Sequence, residues 1–143
     1  MLDQITLRLA SELPRGVPLL QPDQLLTPAE WEEEDEFEEI VPNGKRGLMA
    51  YLEQKAPQGY VQLYDLQPLS TGAGWADQHF LTVDVLAATE AHAQALTDLV
   101  RRTLGSTPRT GGRIRLTLPA RVAREPGSVR ITQQFTVRTA HPR

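Results

Sequence analysis

The chain contains no cysteine. Disulfides, thiolate metal sites and a cysteine nucleophile are all excluded. Aromatic residues are scarce at 6%, and no lysine follows Lys55, so every Lys/Arg cation in the second half is an arginine. No apolar run approaches the roughly 20 residues that cross a bilayer. The opening "MLDQITLRLASELPRG" has neither a basic start nor the apolar core of a signal peptide. The expectation is a chain that folds in a cytoplasm without a membrane, as a single domain over residues 1–143.

Chemistry-bearing groups are equally thin. There are three histidines, His79, His92 and His141, and none stands at metal-ligand spacing from another. "TGAGWA" carries a lone Gly-x-Gly that leads into a strand pattern, so no helix N-terminus awaits a phosphate. "NGKRG" has a lysine but neither the preceding strand nor the glycine spacing of a phosphate loop. Both read as turns. No catalytic, metal-binding or cofactor-binding residue is expected, and no cofactor; an enzyme is not the expectation.

What is abundant is negative charge in one place. Within "PAEWEEEDEFEEIVP" eight of the ten positions from Glu30 to Glu39 are acidic, yet the formal net charge is only −3. Residues 1–60 hold twelve acids against five Lys/Arg, a net of −7; residues 61–143 hold six acids against ten Arg, a net of +4. A chain so divided is a candidate for electrostatic contact with another copy of itself. Thr27, Pro28 and Glu30 specify a helix start. The like-charge pairs Glu30/Glu34, Glu32/Glu36, Glu34/Glu38 and Asp35/Glu39 oppose its continuation by about 0.3 kcal/mol each. The segment is expected as a short helix or a mobile arm within a Pro-rich and acidic insertion, residues 14–46. Contiguous carboxylates lack the interleaved turn residues of a calcium loop.

The rest of the chain alternates clear patterns. "LDQITLRLASEL" sets Leu2, Ile5, Leu9 and Leu13 at helical spacing, with Leu7 and Ala10 widening the stripe. "RGLMAYLEQKAPQG" suggests a short helix. "YVQLYDL" and "HFLTVDVLA" alternate as strands. "TEAHAQALTDLVRRTLG" is the best-specified helix, capped by Thr89, apolar at Ala93, Leu96, Val100 and Leu104, basic in its last turn and stopped by Gly105. "GRIRLTL" and "SVRITQQFTVRT" add two strands, joined by "PARVAREPG". The fold class is α+β: a four-stranded antiparallel sheet in ββαββ order with helices packed on one face, an N-terminal helix and an irregular acidic region. The other face would carry Arg113, Arg115, Thr117, Arg130, Thr132, Gln134, Thr136 and Arg138. It lacks stacking aromatics, which argues against nucleic-acid binding there.

Three of these pieces together, "LDQITLRLASEL", "YVQLYDL" with "HFLTVDVLAATEAHAQALTDLVRRTL", and "GRIRLTL" with "SVRITQQFTVRT", resemble the tail terminator (tail completion) proteins of long-tailed bacteriophages. The resemblance covers residues 2–13 and 60–139 and leaves the acidic stretch at 27–42 outside it. It implies a virion protein of the tail or neck whose copies form a hexameric ring on the tail tube. Tail tube and head–tail connector proteins would be its partners, and DNA would pass through without specific binding. In such a ring Trp31, Trp75, Arg113, Arg115, Arg130 and Arg138 are candidate interface residues. Glu32, Glu33, Glu34, Asp35, Glu36, Glu38 and Glu39 would face a neighbour's arginines or line the channel. The alternatives are another head–tail connector component, or a monomeric acidic module that mimics DNA or captures a basic partner.

Overall fold

The structure is a computed structural model and describes residues 2–71, 76–105 and 112–140. Helix α1 (Leu2–Glu12) is followed by a two-residue strand β1 (Leu19–Leu20), a short 3-10 turn (Pro22–Gln24) and helix α2 (Leu48–Gln54). Then come β2 (Tyr60–Leu63), β3 (Gln67–Thr71), β4 (Ala76–Ala87), α3 (Glu90–Gly105), β5 (Gly112–Glu125) and β6 (Ser128–Ala140).

Among the described residues all six strands join one sheet in the order β1-β2-β4-β6-β5, with β3 also on β4. The expected four strands are therefore six, and the sheet is not wholly antiparallel, because β1 runs parallel to β2. Two local causes account for the difference. The expected strand "YVQLYDL" stops at Leu63 and a second segment resumes at Gln67; Tyr60–Leu63 pairs with Val83–Leu86, and Gln67–Thr71 pairs with Asp77–Phe80. The connector "PRGVPLLQPDQLL" meanwhile lends Leu19 and Leu20 to the edge opposite Val61 and Gln62. Pro18 and Pro22, which have no N–H to donate, flank those two residues.

Strands β4 and β6 form the centre, paired without interruption from Ala76 opposite Ala140 to Ala87 opposite Val129. Strand β5 is longer than the pattern "GRIRLTL" suggests. It runs through Pro119 to Glu125, with register irregularities between Leu116 and Leu118 and again between Leu118 and Arg121. A proline is tolerated there because β5 is an edge strand and the ladder is already broken at that point.

Alternation along the strands builds two cores. On one face Val61, Leu63, Leu81, Val83, Val85, Ile131, Phe135 and Val137 bury against Ile5 and Leu9 of α1 and Ala93, Leu96, Val100 and Leu104 of α3. Burying each large aliphatic side chain is worth about 1.5–3 kcal/mol. Thr89 Oγ1 accepts the backbone N–H of His92, closing the first turn of α3, and Arg124 of β5 pairs with Glu90 beside it. Leu7 and Ala10 do not widen the buried stripe of α1: both are exposed, Leu7 at 71%.

The opposite face is not bare. Tyr60 and Leu86, directly opposed in register, pack with Leu20 against Tyr51, Leu52 and Ala56 of the α2 region. Helices thus cover both faces, not one. The apolar residues of α2 predict a helix but carry no information about the side of the sheet on which it lands. Beyond α2 that face turns polar. Asp84, only 4% exposed, accepts hydrogen bonds from the Tyr64 hydroxyl at 2.7 Å and the Thr132 hydroxyl at 2.6 Å.

Candidate functional site

The acidic run is neither a helix nor a loose arm. Turns occupy residues 25–30, and from Trp31 the chain folds into a narrow antiparallel excursion that returns at Gly47. Glu32 bridges to Arg46 and Glu34 to Ile40. The backbone N–H of Glu33 donates to Lys45 O, that of Val41 to Glu33 O, and that of Asp35 to Glu39 O, each at 2.8 Å. At the tip the Asp35 carboxylate accepts the N–H groups of Phe37 and Glu39 at 2.8 and 3.0 Å. Glu38 and Asn43 take the left-handed conformation at φ 62° and 58°. The physical reason is charge: a helix stacks these carboxylates at four-residue spacing, whereas the excursion spreads them and gives several a partner.

Those partners come largely from "NGKRG" and α2. Glu32 pairs with Arg46 at 3.4 Å and Glu34 with Lys55 at 3.6 Å, while Lys45 reaches Glu53 at 3.3 Å. The Glu33 carboxylate accepts the N–H of Lys45 at 2.8 Å. Such exposed pairs contribute about 0–1 kcal/mol each. The stronger anchor is Trp31. Its ring stands edge-on to Tyr51 at 5.4 Å, Tyr51 stands edge-on to Tyr60 at 5.3 Å, and Lys55 Nζ lies 5.5 Å above the indole. The indole N–H donates to Gln54 Oε1. Trp31, expected at an interface, is half-buried and ties the hairpin to its own α2.

Towards the base of the hairpin Glu32 and Glu34 thus have cationic partners, while Glu30, Glu33 and Asp35 have no ion pair among the described residues. Among the described residues the carboxylates of Glu36, Glu38 and Glu39 have no cationic partner. Between them Phe37 stands 75% exposed.

Of the basic candidates, Arg130 is exposed on β6, near Tyr60 and Tyr64. In register Arg113 stands opposite Arg138, and Arg115 opposite Thr136; their side chains lie outside what is described, as does Trp75 altogether. No ion pair joins Arg130 to the acidic run among the described residues. Burial raises the hydroxyl pKa of Tyr51 and Tyr60, opposed at Tyr60 by Arg130; that of Tyr64 is pushed up to about 12 by burial and then by its hydrogen bond to Asp84.

A second group of cations escaped the sequence reading. Arg8 of α1 and Arg102 of α3 flank a shallow groove of about 250 Å³ between the two helices, lined also by Glu12, Leu99 and Thr103. The Nε of Arg8 is buried and has no hydrogen-bond partner among the described residues. Arg102 donates through Nε to Asp98 O at 3.3 Å. Arg102 reads from sequence as a dipole complement at a helix end, and only packing of α1 on α3 brings Arg8 beside it.

No grouping of His, Asp and Glu suited to a metal ion occurs among the described residues, and no helix there is long and apolar enough to cross a membrane. No family model and no curated protein matches the chain. Among solved structures, the chain is similar to a chain of the "Virion of native gene transfer agent (GTA) particle", at 20% identity and a TM-score of 0.49. The match covers 95% of this chain and 91% of that one.

Proposed function

We propose that this protein is a structural virion subunit, a tail terminator whose copies join head-to-tail into a ring that caps the tail tube and receives the head. The reading rests on one observation: the unneutralised acids and part of the arginine surface lie on opposite sides of the sheet. The acidic hairpin is built on Tyr51 and Tyr60, whereas Arg8 and Arg102 sit on the helices of the other face. Charges so separated do not meet inside one chain but can meet between copies. A contact of one surface with a different surface of the next copy closes into a ring when the rotation fits, and charge complementarity sets its register and rate. The resemblance carried by residues 2–13 and 60–139 supplies the tail terminator role. The action is mechanical: occupying the last tube ring ends growth, and the free side docks a connector protein.

In this reading Arg113, Arg115, Arg130, Arg138 and Trp75 contribute to contacts with the neighbouring copy or with tail tube and connector proteins. DNA passes the channel without specific binding, no cofactor takes part, and the role is not enzymatic. The testing measurement is native mass across concentration, in low and high salt. A salt-sensitive ring, hexameric in the simplest case, supports electrostatic closure. A salt-resistant ring moves the acids to the channel or outer rim. A monomer at every concentration, with and without purified tail tubes, overturns the terminator.

The exposed tip acids also favour a second reading, a monomeric module that captures a basic partner or mimics DNA. That reading predicts a monomer whose partner is lost when Glu36, Glu38 and Glu39 become glutamines.

A further inference from the structure

We propose that the groove between α1 and α3 is the docking site for the hairpin tip, Glu36–Phe37–Glu38, of a second copy of this chain. The inference rests on the head-to-tail reading above and gives it a specific contact. Three properties of the two surfaces match. The groove holds about 250 Å³, and a cavity of about 150 Å³ already admits benzene, so a phenyl ring fits with room for its neighbours. Its lining includes the half-buried Leu99, an apolar partner for a phenylalanine that is 75% exposed in the single chain.

The flanks match in charge. Arg8 of α1 and Arg102 of α3 line the groove together with Leu99, and neither has a carboxylate partner among the described residues. Glu36 and Glu38 stand on the two sides of Phe37 and lack a cation. Glu12 at the groove opposes an incoming acid, but two arginines outnumber it.

Topology makes the contact intermolecular. The hairpin is anchored on the α2 face of the sheet, and the groove lies on the helices of the α1/α3 face. A copy donating its tip still has its own groove free for the next. The contact is heterologous and propagates.

The absence of cysteine makes a direct test clean. Phe37→Cys and Leu99→Cys proteins are mixed in equal amounts under mild oxidation, so any mixed disulfide joins two copies. The control pair is Phe37→Cys with Asp65→Cys, at an exposed position. We expect about tenfold more of the 37–99 product than of the control, through the effective concentration of docked groups, and its loss on adding R8E and R102E to the Leu99→Cys protein. Glu12→Cys, exposed on α1 at the groove, replaces Leu99→Cys should the latter fold poorly. Equal yields in the two mixtures overturn the groove contact. Native mass of the wild type separates the two levels: a ring without a 37–99 product overturns this contact and leaves the ring. A monomer without that product at the highest attainable concentration overturns both.

Discussion

Gln54 Oε1 accepts two hydrogen bonds at once, from the indole N–H of Trp31 and from the backbone N–H of Glu34, each at 3.2 Å. One side chain on α2 thereby fixes both the aromatic foot of the acidic hairpin and the start of its inner loop. Gln54→Ala keeps a good helix former in place and removes both bonds, at a cost of about 1–2 kcal/mol. The loss is local. Amide exchange should accelerate at Glu33, Asp35 and Val41, whose N–H groups close the hairpin, while the β4–β6 ladder keeps its protection. Unchanged exchange in the hairpin would show that Gln54 does not hold it.

Gly59 precedes β2 at φ +100°, and a Cβ there would lie 2.7 Å from Leu86 O and 2.9 Å from both Ala87 Cβ and Leu96 Cδ1. Gly59→Ala therefore meets strain and a backbone clash together, and should destabilise by more than about 2 kcal/mol. Gly16 also has positive φ, +87°, but open space around it. Gly16→Ala should cost only the conformational term, about 1 kcal/mol. Denaturant midpoints of the two variants test the difference; equal losses would refute the crowding at Gly59.

The Tyr64 hydroxyl, donating to Asp84, has its pKa pushed up from 10.0 to about 12. The fold favours the neutral phenol, so the stabilisation is present in full below pH 10 and is lost as pH rises from 10 to about 12. Tyr51 and Tyr60 shift in the same direction. Near-ultraviolet titration should show phenolate appearing late, together with unfolding, and Tyr64→Phe should flatten the alkaline fall in stability. A full complement of phenolate in the folded protein near pH 10 would contradict this.

Gln133 is 1% exposed in the row of Val129, Ile131, Phe135 and Val137, and its Oε1 has no partner among the described residues. Replacing an unsatisfied buried amide by a side chain of similar size removes a desolvation cost. Gln133→Leu should gain about 1 kcal/mol and raise Tm by roughly 3 °C. A lower Tm would mean that the amide is satisfied in solution.

The local patterns carried far. Helix α3 runs over Glu90–Gly105, between the Thr89 cap and the glycine stop, and its buried Ala93, Leu96, Val100 and Leu104 are the apolar positions of its repeat. Ile5 and Leu9 of α1 and the alternation of β4 and β6 are equally direct. These features are local in origin: helix capping acts over three residues, and periodicity marks the face that must leave water. The same logic failed at Leu7, where an apolar residue lies off the contact line. It failed also at Pro119, whose effect depends on whether its strand is an edge.

The sequence alone established the charge division, the absence of thiol chemistry, and the amphipathic α1 and α3. Tertiary structure decided where the charges stand. Helix α2 lies on the second face because Tyr51 and Leu52 find Tyr60, Leu86 and Leu20 there, three residues brought together by strand pairing. The acidic run forms a hairpin because Trp31 docks on Tyr51 and Gln54, and the arginines of α1 and α3 share a groove because the helices pack. Each of these is a contact between segments far apart in the chain, and its energy exists only once the sheet has brought them within reach.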